Sequence, residues 1–399
     1  DIEPNVYYIE YKRNDSSGSS YEGRISFTVA EFERAKFQAA VTIPSVTYFA
    51  GDSIPATISA SYLAGGSLGG ADYRASWFKS PVQYEPQSAA TKGYRFGPSN
   101  YYKGRDYYSE DKGTLGGNGT ANLSSTAERA GGGPTYRYRM EAAITDTSNQ
   151  RIVAEGSALV HPAKFYIGVT KPAGTSGFVK ANTKLNFPFL LCTPDGTPLD
   201  GTKSISELKY TLSHESWTMV QEQAVNGSVY TRYKQETVTD DSAALKVSAK
   251  GTISVTPKEA GWYTLHVTGR DADGNEAVTD YGFYATGSSR YSYWRQDSDS
   301  LNLTPDQSLY NPGDTAHILL ESPIPEGTYL VTVERDGIFT EELRHFDTPA
   351  NVLDIKIARN YMPVVYVSVS SYSVRTGAPT HEYGEPDLDK PKGYYGAAT

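Results

Sequence analysis

Cysteine is nearly absent from this sequence, since Cys192 is the only one among 399 residues. An intrachain disulfide is therefore excluded, and so is a metal site built on cysteine pairs. A reactive thiol needs a neighbouring base that lowers its pKa, whereas Cys192 lies in the apolar, strand-like run 190–193. We expect Cys192 to be a small buried core residue.

Positive charge is also scarce. The chain has 37 Lys and Arg against 46 Asp and Glu, a net charge of −9. Phosphate binding needs a basic surface, so we predict no nucleic-acid partner. No stretch approaches the roughly 18 apolar residues of a membrane span, which predicts no direct membrane insertion. Residues 1–4 do not resemble a signal peptide, and we expect any export signal to lie outside this chain.

The residue patterns of common active sites are missing as well. Neither a Gly-x-Ser-x-Gly elbow nor a phosphate-binding glycine loop occurs. Residues 271–276 resemble part of a calcium loop but lack its later glutamate, and Asp273-Gly274 favours a hairpin turn. We therefore predict no catalytic residue, no cofactor and no metal, in a protein that is not an enzyme. The six histidines lack a metal-binding spacing: His161, His214, His266, His317, His345 and His381.

One strand-opening pattern, a turn followed by alternating apolar residues, occurs three times at a spacing of roughly 130 residues. A period of this length indicates tandem domains rather than a solenoid of short repeats. Gly51 and Gly313 belong to the first and third copies. We expect both at turn positions where a side chain would be costly. The copies are residues 48–58, 178–191 and 310–320.

A second pattern closes each unit, in which an aromatic-rich strand runs through a polar turn into a returning strand. It occurs at 136–160 and 262–285, whereas in the last unit 364–374 supplies the first strand and no return strand is evident. The same hairpin is found at 6–32. Because two strands cannot bury a core by themselves, we expect these residues to end a domain whose front is absent.

The strands are short, rich in Tyr, Val, Thr and Ile, and separated by Asp-Gly turns. No long run has helical periodicity, and 32–40 is interpreted as a linker although its composition suits a helix. The predicted fold class is all-β, with tandem immunoglobulin-like antiparallel β-sandwich domains. The predicted division is a truncated domain at 1–33 and complete sandwiches at 34–165, 166–287 and 288–399.

Tyrosine is the unusual component, at 32 residues. Five tyrosines crowd a loop that also contains Arg95, Arg105 and several glycines. Rigid amphipathic rings between flexible glycines are typical of protein-binding surfaces. The alternative is an insertion that folds back over its own sandwich with its hydroxyls in water. The candidate protein-binding residues are Tyr94, Tyr101, Tyr102, Tyr107 and Tyr108.

Residues 311–316, with the sequence Asn-Pro-Gly-Asp-Thr-Ala, are followed at a distinctive spacing by 321–327 and 330–338. Further segments that belong to this series are 144–146, 160–168, 260–263 and 267–271. In their order and spacing, these segments resemble the bacterial alpha-2-macroglobulins. Residues 27–32 are similar to that family's junction between consecutive domains. The resemblance covers nearly the whole chain, except the glycine-rich and tyrosine-rich loop at 91–119.

The resemblance implies macroglobulin-like domains of a protein that traps proteases. In that family, cleavage of a bait segment triggers a conformational change that encloses the protease, and many members then capture it through a Cys–Gln thioester. The pattern Cys-x-Glu-Gln is absent here, because Thr193 and Pro194 follow Cys192. We expect the bait to lie downstream of the domain that opens at Tyr310, outside this chain. What remains are sandwiches that hold the shape of the trap and transmit motion.

The sequence thus predicts a non-catalytic scaffold fragment of a broad-spectrum endopeptidase inhibitor. Its partners would be endoproteases, through the full-length parent, and neighbouring macroglobulin-like domains. It would be exported to the periplasm or cell surface of a bacterium, with any membrane anchor in a segment absent here. One alternative is the immunoglobulin-like array of a surface adhesin or carbohydrate-binding protein. Another, an accessory region of a polysaccharide-degrading enzyme, lacks a convincing pair of catalytic carboxylates.

Overall fold

Antiparallel β-sheet makes up nearly all the regular structure in the computed structural model. The structure describes residues 5–14, 20–29, 34–101, 104–129, 131–175, 178–199, 205–223, 229–287, 299–324, 326–375 and 390–399. Within these ranges the one helical element is a 3-10 turn at Arg359–Tyr361. The predicted all-β class is confirmed. In the same part of the chain, no helix is long and apolar enough to cross a membrane.

Among the described strands, β1 (Asn5–Asn14) and β2 (Ser20–Val29) form a two-stranded sheet of their own, an antiparallel hairpin. One face is apolar, because Ile9 pairs with Ile25 and the rings of Tyr7 and Phe27 stack with centroids 5.8 Å apart. Ile9 and Ile25 are more than half exposed. The predicted hairpin is confirmed, and its residues of described burial, 6–11 and 23–29, include none that is fully buried.

The first sandwich packs a three-stranded sheet, β3-β5-β8, against a five-stranded sheet, β4-β10-β9-β6-β7. Alternate residues of β5 face the core, as the period-2 pattern requires, and Ile54 and Ile58 are fully buried beside Trp77. Its strands are β3 (Phe37–Thr42), β4 (Thr47–Phe49), β5 (Ser53–Tyr62), β6 (Asp72–Val82), β7 (Asp106–Thr114), β8 (Thr120–Thr126), β9 (Thr135–Thr145) and β10 (Arg151–His161).

The second sandwich repeats this topology, with sheets β11-β13-β16 and β12-β18-β17-β14-β15. Phe187, Tyr263 and Leu265 are fully buried in its core. The β14–β15 hairpin is long, and its pairing reaches beyond the part that β17 pairs with. The strands are β11 (Tyr166–Val169), β12 (Phe178–Lys180), β13 (Leu185–Cys192), β14 (Ile205–Gln223), β15 (Val229–Ala244), β16 (Lys250–Val255), β17 (Gly261–Asp271) and β18 (Glu276–Thr286).

The third sandwich has sheets β19-β20-β23 and β22-β21-β24-β25. Its core includes Leu320, Tyr329 and Val369, all fully buried. The strands are β19 (Asn302–Pro305), β20 (Thr315–Glu321), β21 (Gly327–Glu334), β22 (Ile338–Phe346), β23 (Ala350–Lys356), β24 (Tyr366–Tyr372) and β25 (Gly393–Ala398).

The predicted opening turns are confirmed at both glycines. Gly51 and Gly313 have positive φ angles of 91° and 101°, a conformation that suits glycine. In both turns an aspartate caps the backbone: Asp52 Oδ2 accepts the Phe49 N–H, and Asp314 Oδ2 accepts the corresponding N–H at 2.8 Å. In the second sandwich Asn182 takes the positive φ, at 60°.

Two sequence-based expectations need correction. The supposed linker at 32–40 contains the start of β3, because Phe37 is buried and pairs with Tyr62 of β5. Its residues 32 and 33 lie outside the described residues. The third closing hairpin does have a return strand, β25, which pairs antiparallel with β24 from Val367↔Ala398 to Tyr372↔Gly393. It was missed because it lies some distance further along the chain and is rich in glycine and alanine.

Candidate functional site between the first and second sandwiches

The structure places the candidate tyrosines in different environments rather than on one surface. Tyr94 and Tyr101 are half-buried, in the segment between β6 and β7. Tyr107 and Tyr108 lie in β7, where Tyr107 is 61% exposed and Tyr108 is half-buried. Tyr102 lies outside the described residues. A protein-binding role for this set stays a prediction.

Tyr108 packs onto its own sandwich. Its hydroxyl donates a hydrogen bond to the Thr126 carbonyl at 2.6 Å, and its ring meets Tyr138 edge to face at 5.4 Å. Tyr107 contacts Phe78 in the same geometry at 6.1 Å. This part of the loop therefore folds back over the first sandwich.

Residues 83–101, which we call the strap, leave the first sandwich and lie on the second. The strap pairs with β11 like an added strand: Arg95 N donates to the Val169 carbonyl at 2.8 Å, and Val169 N donates back at 3.0 Å. Gly97 N donates to Thr279 Oγ1 at 3.1 Å, and Asp280 N donates to the Gly97 carbonyl at 3.1 Å. Backbone groups of the strap thus bind two strands, β11 and β18, of the next sandwich.

Asp280 anchors the end of the strap. Its Oδ2 accepts hydrogen bonds from Ser99 N at 2.9 Å and Ser99 Oγ at 3.2 Å, while its Oδ1 lies 2.6 Å from His266 Nδ1. Burial alone would raise the pKa of Asp280, but the hydrogen bonds from His266 and Ser99 lower it overall. The bond to Asp280 raises the pKa of His266. An ionised carboxylate therefore holds the strap to the second sandwich.

An apolar cluster fills the space under the strap. Phe96 of the strap is buried against Tyr166, Leu190 and Cys192 of the second sandwich, and Tyr94 packs at its edge. The thiol of Cys192 is fully buried, and burial raises its pKa to about 12. The expectation that Cys192 is buried is confirmed. On β13 its neighbour Leu191 faces the central core, so Cys192 faces outward, toward the strap.

Gly168 lets the strap approach β11 closely. A Cβ atom at this position would lie 2.8 Å from the Phe96 ring and 3.1 Å from Cβ of Tyr94. Both distances are shorter than ordinary van der Waals contact. Any larger residue at 168 would push the Phe96 ring out of its place.

A buried polar cluster joins the two sandwiches beside the strap. His161, the last residue of β10, has its Nδ1 2.5 Å from the hydroxyl of Tyr166, the first residue of β11. That hydroxyl also shares a hydrogen bond with Thr135 Oγ1. The ring of Tyr84 from the strap packs edge to face on His161 at 4.7 Å. Burial lowers the pKa of His161 to about 4, and burial raises that of Tyr166, so both stay neutral near pH 7.

The start of the strap contacts a turn of the second sandwich. Ser88 Oγ donates to the Gly196 carbonyl at 2.7 Å, and Tyr84 Oη donates to the Pro194 carbonyl at 2.9 Å. Gly196 has a φ of 84° in the predicted Asp-Gly turn, and a Cβ there would lie 3.0 Å from the Gln87 carbonyl carbon. The strap is therefore held at both of its ends.

The residues that resemble a calcium loop form a hairpin turn, as predicted, and this turn contacts the first sandwich. Asp271 Oδ1 accepts the backbone N–H groups of Asp273 and Asn275 at 3.0 and 2.9 Å. Lys164 Nζ forms an ion pair with Asp273 at 2.6 Å, and Arg129 donates to the Asp273 carbonyl at 3.1 Å. Oδ1 of Asp271 thus serves the turn itself, while its Oδ2 accepts the backbone N–H of Lys164 at 3.2 Å.

The second and third sandwiches share a smaller apolar contact, in which Tyr284 packs against Leu319 and Ala350, with Phe178 at the edge. Beside it, Glu321 Oε2 accepts a hydrogen bond from Asn302 Nδ2 at 2.7 Å. Burial outweighs the hydrogen bonding of this carboxylate and raises the pKa of Glu321. No backbone segment comparable to the strap crosses this junction among the described residues.

Sequence reasoning located the loop and named Arg95 within it, but did not predict which residues hold the loop in place. Arg95, Ser99 and Asp280 form the contacts described above, yet none belongs to a motif. The available signal was the pair Gly93 and Gly97, which both have positive φ angles here. Glycines of this kind indicate a shaped segment, although they do not reveal the surface it covers.

Comparison with known proteins supports the resemblance stated above. Residues 301–393 match the family model described as the alpha-2-macroglobulin bait region domain. This match assigns the described strands of the third sandwich to a bait region domain, whereas we expected the bait segment itself to lie downstream of that sandwich. The position of the bait segment stays a prediction.

The chain is 22% identical over 371 residues to an alpha-2-macroglobulin homolog of Nostoc sp., covering 91% of this chain and 19% of that protein. It is 29% identical over 150 residues to an alpha-2-macroglobulin homolog of Deinococcus radiodurans, covering 37% of this chain and 14% of that protein. The chain therefore spans less than a fifth of either relative.

Among solved structures, the native conformation of E. coli alpha-2-macroglobulin is similar, with a TM-score of 0.44 and 16% identity. The match covers 99% of this chain and 24% of that one. The matched domain and the sequence relatives thus show that this chain is similar to bacterial alpha-2-macroglobulin homologues, as the resemblance stated above predicts.

Proposed function

We propose that this chain is a non-catalytic scaffold of a bacterial protease-trapping inhibitor, in which the first and second sandwiches move as one body. The strap carries this proposal. It combines backbone pairing with β11, an ionised anchor at Asp280 and a buried aromatic contact through Phe96. Breaking such a junction exposes apolar surface and strands buried polar groups together, which is costly.

The third sandwich would be the part that moves. It matches the bait region domain, and its contact with the second sandwich is centred on Tyr284, Leu319 and Ala350. A cut in the bait would then release a motion at this junction, while the strapped pair keeps its shape. We propose the predicted division at 34, 166 and 288 as the limits of these bodies.

The chemistry of the described residues supports a non-enzymatic role. Cys192 is a buried thiol whose pKa is raised, which is the opposite of what a nucleophile needs. His161 is buried in a hydrogen bond to Tyr166, far from solvent. The proposed partners are endoproteases, acting through the longer parent protein, and the proposed location is the periplasm or cell surface.

The coupling can be tested by measuring distances between spin labels in a Cys192→Ala background. Labels at the exposed positions Val153, Lys250 and Leu343 lie in the first, second and third sandwiches. We expect a narrower distance distribution for the pair 153 and 250 than for 250 and 343. If the two distance distributions are equally wide, or if the one for 153 and 250 is wider, the proposal that the strap makes the first two sandwiches one rigid body is wrong.

A separate assay tests the inhibitory part of the proposal. Incubated with several endoproteases, this chain by itself should leave their activity on a large protein substrate unchanged, since it lacks the thioester pattern. Ordinary digestion at loops does not count. Stable one-to-one trapping of a protease by this chain would refute the scaffold role.

A further inference from the structure

A cluster of metal-ligating side chains lies in the third sandwich, away from the strap. Glu326, His345 and Asp347 are exposed, and their ligand atoms all lie within 4.8 Å of one another. His345 Nε2 is 3.7 Å from Glu326 Oε1 and 3.2 Å from Asp347 Oδ1. One imidazole nitrogen and two carboxylate oxygens thus converge on one point.

The register of the β21–β22 hairpin produces this convergence. Thr328 pairs with His345, and Gly327 pairs with Phe346. Continued by one residue, this antiparallel register brings Glu326 opposite Asp347 at the open end of the hairpin. Two like charges directly opposite each other destabilise a strand pair, so this position favours a cation between them.

The orientation of the imidazole adds a second argument. His345 Nδ1 lies 3.1 Å from Thr328 Oγ1. When Nδ1–H donates to this hydroxyl, Nε2 presents its lone pair toward the two carboxylates. A partner on the other ring nitrogen is what orients a metal-binding histidine. Without a proton or a metal ion, three acceptor atoms would repel one another here.

The spacing fits a first-row transition metal. In a tetrahedral zinc site with bonds of about 2.0–2.2 Å, neighbouring ligand atoms are roughly 3.4 Å apart. The distances of 3.2 and 3.7 Å at His345 bracket this value. We propose that Glu326, His345 and Asp347 bind one divalent transition-metal ion of the zinc class, with water completing the coordination. Calcium and magnesium take oxygen ligands, so imidazole favours the zinc class over both.

A bound ion would join the residue before β21 to the residue after β22. It would therefore close the open end of the hairpin and stabilise the third sandwich in proportion to its occupancy. This inference does not depend on protease trapping. It opposes the sequence-based prediction of no metal, which considered histidine spacing and could not see that the carboxylates come from both strands.

Zinc titration by calorimetry at neutral pH, on the chain freed of metal by a chelator, tests the proposal. We expect one Zn²⁺ per chain, with affinity lowered at least tenfold by His345→Ala and clearly lowered by Glu326→Gln and Asp347→Asn. The matched control is His317→Ala, because His317 is another partly exposed histidine of this sandwich that faces a single carboxylate, Asp354, at 2.6 Å. The control should bind zinc like the parent.

Co²⁺ provides a spectroscopic readout of the same site. The parent and the His317→Ala variant should show the visible absorption of low-coordinate Co²⁺, and His345→Ala should not. Circular dichroism checks that each variant is folded. We expect folding to be retained, because the substituted side chains are exposed. The proposal is overturned if the parent does not bind zinc stoichiometrically, or if the parent and His345→Ala bind it with equal affinity. It is also overturned if His345→Ala and His317→Ala lose equal amounts of zinc affinity.

Discussion

Acid should open the junction between the first two sandwiches, because His161 is buried there as a neutral group. Burial lowers its pKa from 6.5 to about 4, so the unfolded or opened chain takes up the proton first as the pH falls. The stability that this group contributes is complete above pH 6.5 and is lost between pH 6.5 and about pH 4. At about 1.4 kcal/mol for each pKa unit, the loss is about 3 kcal/mol at the acid end.

The thiol of Cys192 offers a direct assay, because it is fully buried in the cluster under the strap. Dithiodipyridine reacts with thiols at acid as well as neutral pH, so its labelling rate in native protein reports opening of the junction. Rates are divided by those of the protein unfolded in urea at the same pH. Between about pH 7.5 and about pH 4.5 the opening constant should rise on the order of 50-fold through His161.

His161→Gln is the control, since glutamine keeps a polar group near Tyr166 but does not titrate. Carboxylates elsewhere contribute to acid sensitivity in both proteins, so the difference between their pH profiles isolates His161. The glutamine variant should show a flatter profile below pH 6.5. The reasoning fails if the two profiles are parallel, or if the parent shows no increase in labelling.

Three further changes test other contacts. Cys192→Ser should lower the free energy of unfolding by about 1–3 kcal/mol in urea titrations, because it places an unpaired hydroxyl in an apolar cluster. Cys192→Ala should lower it by less, within about 1.5 kcal/mol. A Ser variant as stable as the parent would contradict this. Gly168→Ala should lower the free energy of unfolding by about 1–3 kcal/mol, because the added methyl displaces Phe96, and it should accelerate labelling of the Cys192 thiol. The control is Gly337→Ala, since a Cβ at Gly337 meets nothing within 4 Å, and it should have neither effect. Glu321→Gln should stabilise the chain at neutral pH but not at low pH. The pKa of Glu321 is raised in the folded state, so the folded state favours the protonated carboxyl and loses stability as the pH rises through the folded pKa. Melting curves across pH check this, and a variant less stable than the parent at neutral pH would count against it.

The two junctions differ in kind, and this difference bears on the motion proposed above. At the first junction, backbone pairing of Arg95 with Val169 adds a strand-like contact to the apolar cluster around Phe96. At the second, side chains such as Tyr284 and Leu319 provide the apolar contact. Backbone pairing has fixed register and must break cooperatively, whereas a small side-chain contact can slide or rotate. The spin-label distances proposed above measure this difference directly.

Strands with strong period-2 patterning were predictable, and weakly patterned ones were not. β5 and β13 are buried on alternate residues over most of their lengths, which the sequence displays directly. β3 contributes mainly Phe37 to the core and resembles a linker in composition. β25 is rich in glycine and alanine, and its pairing with β24 is a long-range contact that no local pattern encodes.

The candidate site divides in the same way. The crowding of tyrosines and glycines in one loop was visible in the sequence, and part of that loop forms the strap. Its target was not visible, because the strap covers residues such as Asp280, which lie far along the chain. The zinc-class cluster is similar, since Glu326 and His345 meet only through the register of two strands.

By itself, the sequence determined the all-β class, the threefold repeat of opening turns and the resemblance to bacterial alpha-2-macroglobulins, because these depend on local periodicity and on short ordered segments. Only the tertiary structure decided that the strap crosses to the next sandwich, that Cys192 faces it, and that His161 meets Tyr166 in a buried hydrogen bond. The physical reason is that burial, pKa and pairing depend on which surfaces come together. Those surfaces are brought into contact by segments distant in the chain, whose side chains carry no signal of their future partners.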